Sequence, residues 1–392
     1  MDALTTPSNW QKVRLGDICE IVKGQQINKI SLNNTDKYPV INGGIDFLGY
    51  TNKFNVSKNT IAISEGGTCG YVRFMTSDFW SGGHNYSLQK ISNKVNNLCL
   101  YHILKSYEKD IMKLGVGSGL KNIQLKALKD FEILLPPLNE QIAIANILSD
   151  VDHYLCSLDA LILKKESVKK ALSFELLSQR KRLKGFNQAW QKVRLGDIGK
   201  PCMCKRVMKH QTTRYGEIPF YKIGTFGNTA DAFISKKLFL EYKTKYSFPK
   251  KGDILISASG TIGRAVIYDG KPAYFQDSNI VWIDNNETLV KNDFLFYAYS
   301  NIKWNTEHTT ILRLYNDNFR NTLIPLPPLN EQAAIANILS GLDSEITSLK
   351  NKKRQFENIK KALNHDLMSA KIRVLKNKTP QSQGQTHSQG NP

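Results

Sequence analysis

Two stretches of this sequence occur twice, and they bracket two segments that resemble each other far less. Residues Trp10–Ile18 recur letter for letter as Trp190–Ile198, and 15 of the 18 residues of Leu135–Asp152 recur in Leu326–Asp343. Such self-similarity marks a tandem repeat, whose unit here is a divergent block of roughly 120 residues followed by a nearly invariant one. We expect one structural frame, used twice, that presents two different binding surfaces.

The divergent blocks have the composition of small mixed domains. Residues 10–135 are rich in β-branched and aromatic residues interrupted by Gly, Asn and Asp, as around 38–44 and 60–70, which is typical of short strands joined by tight turns. The glycine-rich segment 252–264 of the second block lines up with 59–71 of the first. The sequence therefore predicts two α+β domains that share one fold.

A long helix is predicted after each Pro-Pro pair. No Gly or Pro occurs from Leu138 to Leu183, and apolar residues recur there at intervals of three and four. The second Pro of each pair fits immediately before a helix that Asn139 or Asn330 can cap, and Gly185 is expected to end the first helix. The predicted apolar face consists of Leu148, Val151, Leu155 and Leu158 in the first copy and of Leu339, Leu342, Ile346, Leu349 and Phe356 in the second.

Each apolar stripe must be buried, and the other helix is the simplest partner because the spacing is that of a coiled-coil seam. At about 1.5 Å per residue, such a helix extends roughly 70 Å. The predicted fold class is α+β, with two globular domains of one shared fold joined by two long antiparallel coiled-coil helices in a pseudo-two-fold symmetric arrangement. The alternative is two ordinary amphipathic helices, each packed on its own domain.

These predictions divide the chain into five segments. They are a first globular domain at 1–137, a first long helix at 138–185, a second globular domain at 186–328, a second long helix at 329–376 and a tail at 377–392. The tail has nothing to bury, so we expect it to be disordered.

The net charge predicts a polyanionic partner. Lys and Arg number 54 against 34 Asp and Glu, which gives a formal charge of +20. Nucleic acid is the first candidate and an anionic membrane the second. No apolar run approaches membrane-spanning length, and Met1–Pro7 has neither a basic cluster nor an apolar core. We therefore expect a cytoplasmic protein with no membrane partner.

The sequence offers no strong catalytic or metal-binding motif. Cys202 and Cys204 are one residue apart, which does not fit a structural zinc site, so we expect reduced thiols and no metal. A Gly-x-x-x-x-Gly-Lys phosphate loop and an Asn-Pro-Pro-Tyr methyltransferase motif are both missing, and Gly115–Gly119 reads as a flexible turn. We expect a chain that is not an enzyme. The alternatives are a self-contained DNA methyltransferase or nuclease, and a basic scaffold that binds nucleic acid without sequence preference.

Taken together, the repeated motifs resemble those of a known family. They are Leu-Pro-Pro-Leu-x-Glu-Gln followed by a long helix at 135 and 326, Trp-x-x-Val-x-Leu-Gly-Asp-Ile at Trp10 and Trp190, Gly117-Ser118, and the glycine-rich run 252–263. The sequence resembles the specificity subunit of type I restriction-modification systems from Trp10 to about Leu375.

The resemblance implies a function and a set of partners. Two target recognition domains would each read one part of a split sequence in double-stranded DNA, and the helices would measure the unread spacer. The helices would also dock two methyltransferase (modification) subunits, and motor-nuclease (restriction) subunits would join the complex. The chain itself would bind no cofactor, since S-adenosylmethionine, ATP and Mg²⁺ are expected on the partner subunits.

Candidate DNA contacts are proposed by residue type and position, since Lys and Arg bind phosphates and, with amides, read base edges. In the first domain they are Lys23, Gln25, Gln26, Lys29, Arg73, His84 and Asn85, and in the second they are Lys205, Arg206, Lys209, Arg214, Arg264, Gln276 and Asn279. Any one of them is as readily a solvated surface residue. Because the two sets differ, we expect an asymmetric, bipartite target.

Basic residues also occur along both helices. They include Lys164-Lys165, Lys169-Lys170, Arg180-Lys181-Arg182 and Lys352-Lys353-Arg354. They are expected to form an outer face that follows the spacer DNA, meets an acidic partner or is simply solvated.

Overall fold

The computed structural model of the chain describes residues 9–304, 307–308 and 312–374. The chain forms two compact units, one of Met1–Asp159 with Lys352–Pro392 and one of Ala160–Asn351. Each unit therefore contains one globular domain and part of both long helices. The predicted disordered tail lies outside the described residues.

The first domain is built from three small sheets. Its strands are β1 (Gln11–Arg14), β2 (Glu20–Lys23), β3 (Tyr38–Ile41), β4 (Gly49–Thr51), β5 (Thr60–Ser64), β6 (Val72–Met75), β7 (Trp80–Ser81), β8 (Asn85–Gln89) and β9 (Glu132–Leu135). Its short helices are α1 (Leu15–Ile18), α2 (Asn97–Ser106), α3 (Glu108–Lys113) and α4 (Leu125–Lys129), and the long helix α5 (Leu138–Leu177) follows. The strand orders are β2-β8-β5-β6, β4-β3-β7 and β1-β9.

The second domain repeats this topology. Its strands are β10 (Gln191–Arg194), β11 (Gly199–Met203), β12 (Ile218–Tyr221), β13 (Phe233–Ile234), β14 (Ile254–Ser257), β15 (Ala265–Ile267), β16 (Tyr274–Phe275), β17 (Ile280–Asn285), β18 (Glu307–His308), β19 (Leu312–Arg313) and β20 (Leu323–Leu326). Its helices are α6 (Leu195–Ile198), α7 (Lys236–Lys245), α8 (Asn292–Tyr299) and α9 (Asn316–Asn321), and α10 (Leu329–Met368) follows. The orders β11-β17-β14-β15 and β13-β12-β16 match those of the first domain, which confirms the prediction of one shared fold.

The two duplicated stretches pair with each other inside each domain. Strand β1 lies antiparallel to β9 with Gln11 opposite Leu135, and β10 lies antiparallel to β20 with Gln191 opposite Leu326. The start of each repeat thus closes against its end, and the long helix follows directly. These stretches are nearly identical in the two repeats because each pair of them encloses a domain whose middle part varies.

The long helices are each 40 residues, and both end earlier than predicted. The prediction that Gly185 ends the first helix is wrong. At Gln179 the backbone enters the left-handed region with a φ of 62°, and the N–H of Lys181 donates to the carbonyl of Glu175 at 3.1 Å. Ala370, with a φ of 55°, ends α10 in the same way, short of residue 376. Apolar periodicity continues past both turns, so it could not reveal them.

The helix starts agree better with the prediction. Each helix begins directly after its Pro-Pro pair, as predicted. Asn139 and Asn330 are the second residues of the helices rather than residues flanking them. The side-chain oxygen of Asn139 accepts the N–H of Glu140 at 2.9 Å, and Asn330 does the same for Glu331.

Within each unit the two helices run antiparallel, as predicted. In the first unit Asp152 pairs with Lys360 and Asp159 with Lys353, while the ring of Tyr154 lies 4.5 Å from that of Phe356. In the second unit Lys165 pairs with Glu345 at 2.8 Å, and Lys169 pairs with Asp343. Charged pairs flank the seam along its length in both units.

The predicted apolar stripe faces inward and packs against two partners, the globular domain and the other long helix. Leu148 and Leu339 are fully buried, and each belongs to the core of its own globular domain. Leu158 and Ile346, farther along the helices, are also buried. The half-buried members are Val151, Leu155, Leu342, Leu349 and Phe356. Each helix therefore packs first on its domain and then on the other helix, which combines the two arrangements considered from the sequence.

Candidate nucleic-acid interface

Glycine-rich turns meet at one place in the first domain. We call this the first glycine cleft, formed by residues 42–44, 65–70 and 81–85. Gly43 and Gly67 have left-handed φ values of 81° and 68°, and a Cβ on them would lie 2.6 and 2.8 Å from backbone carbonyl oxygens of the facing turn. The N–H of Thr68 donates to the carbonyl of Gly43 at 2.8 Å. Glycine is required here because two backbones touch.

A buried carboxylate organises this cleft. Glu65 is 8% exposed, its Oε1 accepts a hydrogen bond from Nζ of Lys23 at 2.6 Å, and its Oε2 lies 3.9 Å from Nδ1 of His84. The hydroxyl of Tyr86 lies 3.3 Å from Oε1 of Glu65. Burial, aided by the Glu65 carboxylate, raises the pKa of Tyr86 to about 12, so this hydroxyl stays a donor.

One buried carboxylate thus lies beneath two side-chain nitrogens, the ammonium of Lys23 that is hydrogen-bonded to it and the imidazole of His84 that lies 3.9 Å away. The side chains of Lys23 and His84 are each 53% exposed. Both were predicted from the sequence, whereas Glu65 was missed. Its position directly before Gly66-Gly67 was the signal that could have identified it.

The other predicted residues of the first domain have different environments. Gln25 and Gln26 are exposed on the loop after β2, where the backbone of Gln25 is bound by Ser81 and by the Trp80 indole. Lys29 is exposed farther along this loop. Arg73 instead packs its guanidinium 4.9 Å from the Phe47 ring centroid and 5.4 Å from that of Tyr71. Asn85 is only 2% exposed, so its side chain is not at the surface.

The second glycine cleft, formed by residues 258–263 and 276–279, has the same frame. The hydroxyl of Ser259 donates to Oδ1 of Asn279 at 2.8 Å. Arg206 forms an ion pair with Asp277 at 2.8 Å. Oε1 of Gln276 accepts the backbone N–H of Ile223 at 3.0 Å, so part of this side chain maintains the loop.

The remaining predicted residues of the second domain have different environments. Lys205 lies over the ring of Tyr246 at 5.1 Å, and Arg264 donates to Asn228 at 3.4 Å. Lys209 and Arg214 are exposed on the loop between β11 and β12.

Strand registers allow the two clefts to be compared position by position. Ser64 lies opposite Asn85 where β5 meets β8, and Ser257 lies opposite Ile280 where β14 meets β17. By this correspondence Ala258 occupies the position of Glu65, and Asn279 that of His84. Met203 occupies the position of Lys23, since both end the strand that follows the duplicated opening. The same backbone frame thus carries different hydrogen-bonding groups.

The Glu and Gln of the duplicated Leu-Pro-Pro-Leu-Asn-Glu-Gln stretch attach the helices to the domains. Gln141 donates to the carbonyl of Pro136 at 2.7 Å and accepts the N–H of Asn96 at 2.7 Å. Gln332 repeats this with Pro327 and Lys291 at 2.8 Å each. A glutamine suits the position because it donates and accepts at once.

Each of the adjacent glutamates binds an arginine, Glu331 binding Arg182 and Glu140 binding Arg373. The side chain of Glu331 is 1% exposed and accepts from Arg182 at 2.7 Å and from the indole N–H of Trp190 at 3.0 Å. Assigning Arg182 to an outer basic face was therefore wrong. Lys165, Lys169 and Lys353 also leave that face, because each pairs with an acidic residue of the other helix.

The sequence predicts neither a bound metal nor a membrane partner. Residues 9–304, 307–308 and 312–374 include no group of three or more His, Cys, Asp or Glu side chains that could hold a metal ion. Over the same ranges, no helix is long and apolar enough to cross a membrane. All six cysteines are free thiols.

Comparison with known proteins identifies the family. The family described as "Type I restriction modification DNA specificity domain" matches residues 7–165 and 187–358. A putative type I restriction enzyme specificity subunit of Haemophilus influenzae is 39% identical over 329 residues, which cover 79% of this chain and 83% of that protein. The type I restriction enzyme MjaVIII specificity subunit of Methanocaldococcus jannaschii is 26% identical, with 95% of each chain covered.

A solved structure has the same fold. The crystal structure of the S subunit of a type I restriction-modification system from M. genitalium matches with a TM-score of 0.65 at 24% identity, covering 93% of this chain and 97% of that one. The family match extends over both repeats and most of the sequence. This chain belongs to the family of type I restriction-modification DNA specificity subunits.

Proposed function

We propose that this chain reads a bipartite, asymmetric DNA sequence for a type I restriction-modification complex, with one half-site for each globular domain. The observation that carries the proposal is the pair of glycine clefts, which share a backbone frame but differ in their polar side chains. Lys23 and His84 line the first, whereas Arg206 and Asn279 line the second. Lysine, arginine and asparagine side chains discriminate base edges in the major groove. The net charge of +20 supplies attraction to phosphates.

The duplicated surface supports two copies of one partner, which we take to be the methyltransferase subunit. Buried identities between the repeats are explained by packing, but several identical residues are exposed in both copies. Leu138 and Leu329 are 40% and 42% exposed, and Asn146 and Asn337 are exposed about two helical turns further on. Folding places no such demand on exposed positions, whereas a partner that binds both repeats does. Motor-nuclease subunits would join the resulting assembly.

In this assignment the chain recognises DNA and its partners carry out the chemistry. S-adenosylmethionine, ATP and Mg²⁺ would be bound by the methyltransferase and motor-nuclease subunits, and the complex would act in the cytoplasm. Purified chain incubated with S-adenosylmethionine and DNA should transfer no methyl groups, and addition of methyltransferase subunits should start transfer. Methylation by the chain alone would contradict the assignment.

The decisive experiment is to map methylated bases in cells that carry the chain. A split motif with an unread spacer is expected, and a continuous or palindromic motif would count against the proposal. Exchanging residues 190–325 for those of a relative should change one half-site and leave the other intact. Because α5 and α10 each run from one unit into the other, we propose that helix length sets the spacer. Insertion of four residues into both helices should lengthen the spacer, and an unaltered spacer would exclude this role.

A further inference from the structure

The loop between β2 and β3 presents an apolar side chain to solvent. Ile30 is 92% exposed, more than any other large apolar residue in the described part of the chain. It is the middle residue of a 3-10 turn, Lys29–Ser31, on the same loop as Gln25 and Gln26. Neither the fold nor the glycine cleft explains why an isoleucine should be placed there.

Hydrogen bonds fix the conformation of the turn that carries Ile30. The side-chain oxygen of Asn28 accepts the N–H of Ile30 at 3.1 Å, and the hydroxyl of Ser31 donates to the carbonyl of Asn28 at 2.7 Å. Beyond the turn, the backbones of Asn33 and Tyr50 exchange hydrogen bonds of 3.1 and 2.8 Å. A β-branched side chain on such a turn has few conformations to lose, so a contact made by Ile30 costs little entropy.

The second domain has the same turn with a different residue at its centre. Its 3-10 turn is Lys209–Gln211, and the residue at its centre is the exposed His210. Thr213 and Phe233 form the bridge that corresponds to Asn33 and Tyr50. Between the two domains the backbone of the turn is kept while its outermost side chain changes from apolar to polar.

We propose that the centre of this turn is a specificity-determining position, and that Ile30 reads the C5 methyl group of a thymine in the half-site of the first domain. The inference rests on the proposed function. The thymine methyl is the one apolar group among the base edges of the major groove, and apolar side chains are its usual partners. The neighbouring Gln25, Gln26 and Lys29 carry the amide and ammonium groups that read and hold the same groove.

The test uses DNA in which single methyl groups are removed. Duplexes carry the methylated motif found in cells, with each dT of the first half-site replaced in turn by dU. The full chain, assembled with its methyltransferase subunits, is titrated and the Kd is measured by fluorescence anisotropy. Loss of one buried methyl group should weaken binding about fourfold at one position. Ile30→Ala should bind the dT and dU duplexes equally at that position.

The second part of the test exchanges the central residues of the two turns. Ile30→His should abolish the preference for dT over dU, and His210→Ile should create one at the corresponding position of the other half-site. Leu240→Ala, which removes a 53% exposed apolar side chain from the second domain, serves as a matched control and should leave every ratio unchanged.

Three outcomes would overturn the inference. They are specific binding that is indifferent to every dT to dU replacement, a loss in Ile30→Ala that is equal on all duplexes, and a loss of subunit assembly in Ile30→Ala with DNA affinity intact. The last would make Ile30 a protein contact. Failure of the proposed function is distinguishable, since it would appear as the absence of any split motif.

Discussion

The guanidinium of Arg373 binds the buried carboxylate of Glu140, with Nε 2.9 Å from Oε1 and Nη2 3.2 Å from Oε2. The side chain of Glu140 is 3% exposed and also accepts the indole N–H of Trp10 at 3.3 Å. Arg182 and Glu331 form the same arrangement in the other unit. In both units the arginine comes from one repeat and the glutamate from the other, so each domain is completed by the segment that follows the long helix of the other repeat.

Replacement of Arg373 by alanine should destabilise the first unit. The Glu140 carboxylate would remain buried, and the Trp10 indole would be its one remaining side-chain partner among the described residues, which we expect to lower the free energy of unfolding by about 3 kcal/mol. Urea denaturation measures the change. Glu140→Gln in the same chain should restore part of the loss, because it removes the unpaired charge. Lys371→Ala, which breaks an exposed pair of 4.0 Å with Asp366, should have almost no effect. Equal midpoints for the two alanine variants would contradict this role.

His102 should make stability depend on pH. Burial lowers the pKa of His102 to about 4, and its Nε2 has no hydrogen-bond partner among the described residues. The unfolded chain therefore binds a proton that the folded chain does not between about pH 6.5 and 4. The stabilisation is complete above pH 6.5 and is lost as the pH falls toward 4, by on the order of 3 kcal/mol.

The second repeat suggests the variant that tests this. Tyr297 is the sixth residue of α8, as His102 is of α2, and its hydroxyl donates to Asp343 at 2.8 Å. His102→Tyr should flatten the decline in melting temperature between pH 6.5 and 4, and Tyr297→His should steepen it. Parallel pH profiles for all three proteins would show that His102 is not responsible.

Gly341→Ala should stabilise the chain. Gly341 lies inside α10 where the first repeat has Asp150, and a Cβ there would meet nothing within 4 Å. Alanine lowers the conformational entropy of the unfolded chain, so the gain should be about 0.5 to 1 kcal/mol in thermal unfolding. Gly185→Ala is the control, since it also has open space but a φ of 93°. That variant should destabilise, and a gain in it would refute the backbone explanation.

The groups of the first glycine cleft should control affinity for one half-site. The double variant Lys23→Met/Glu65→Ala installs the residues of the second domain without leaving a buried charge. It should bind the native sequence tenfold more weakly or worse, the loss expected for a base contact. Met203→Ala, at the position of Lys23 in the other domain, should cost much less. If Lys23 binds phosphate instead, the loss will be equal on all sequences and the salt dependence will weaken by about one charge.

Much of the architecture could be predicted because it depends on patterns along the sequence, namely repeats and the spacing of apolar residues. The duplication located both domains, and the spacing from Leu148 to Leu158 identified a helix face whose residues are buried or half-buried. Helix ends were missed because Gln179 and Ala370, neither of them glycine, adopt left-handed backbone at the same point of both repeats. The buried position of Asn85 could not be predicted either, since residue type alone does not show which face of a strand is buried.

The sequence by itself determined the repeat, the shared α+β fold, the long helices and the family, because these depend on residue order and periodicity. Only the tertiary structure decided which charged side chains pair with one another. Lys23 and Glu65 are 42 residues apart, Arg182 and Glu331 are 149 apart, and Arg373 and Glu140 are 233 apart. Which lysine or arginine pairs and which remains free for DNA depends on where a carboxylate is removed from water, and packing of distant segments sets that burial.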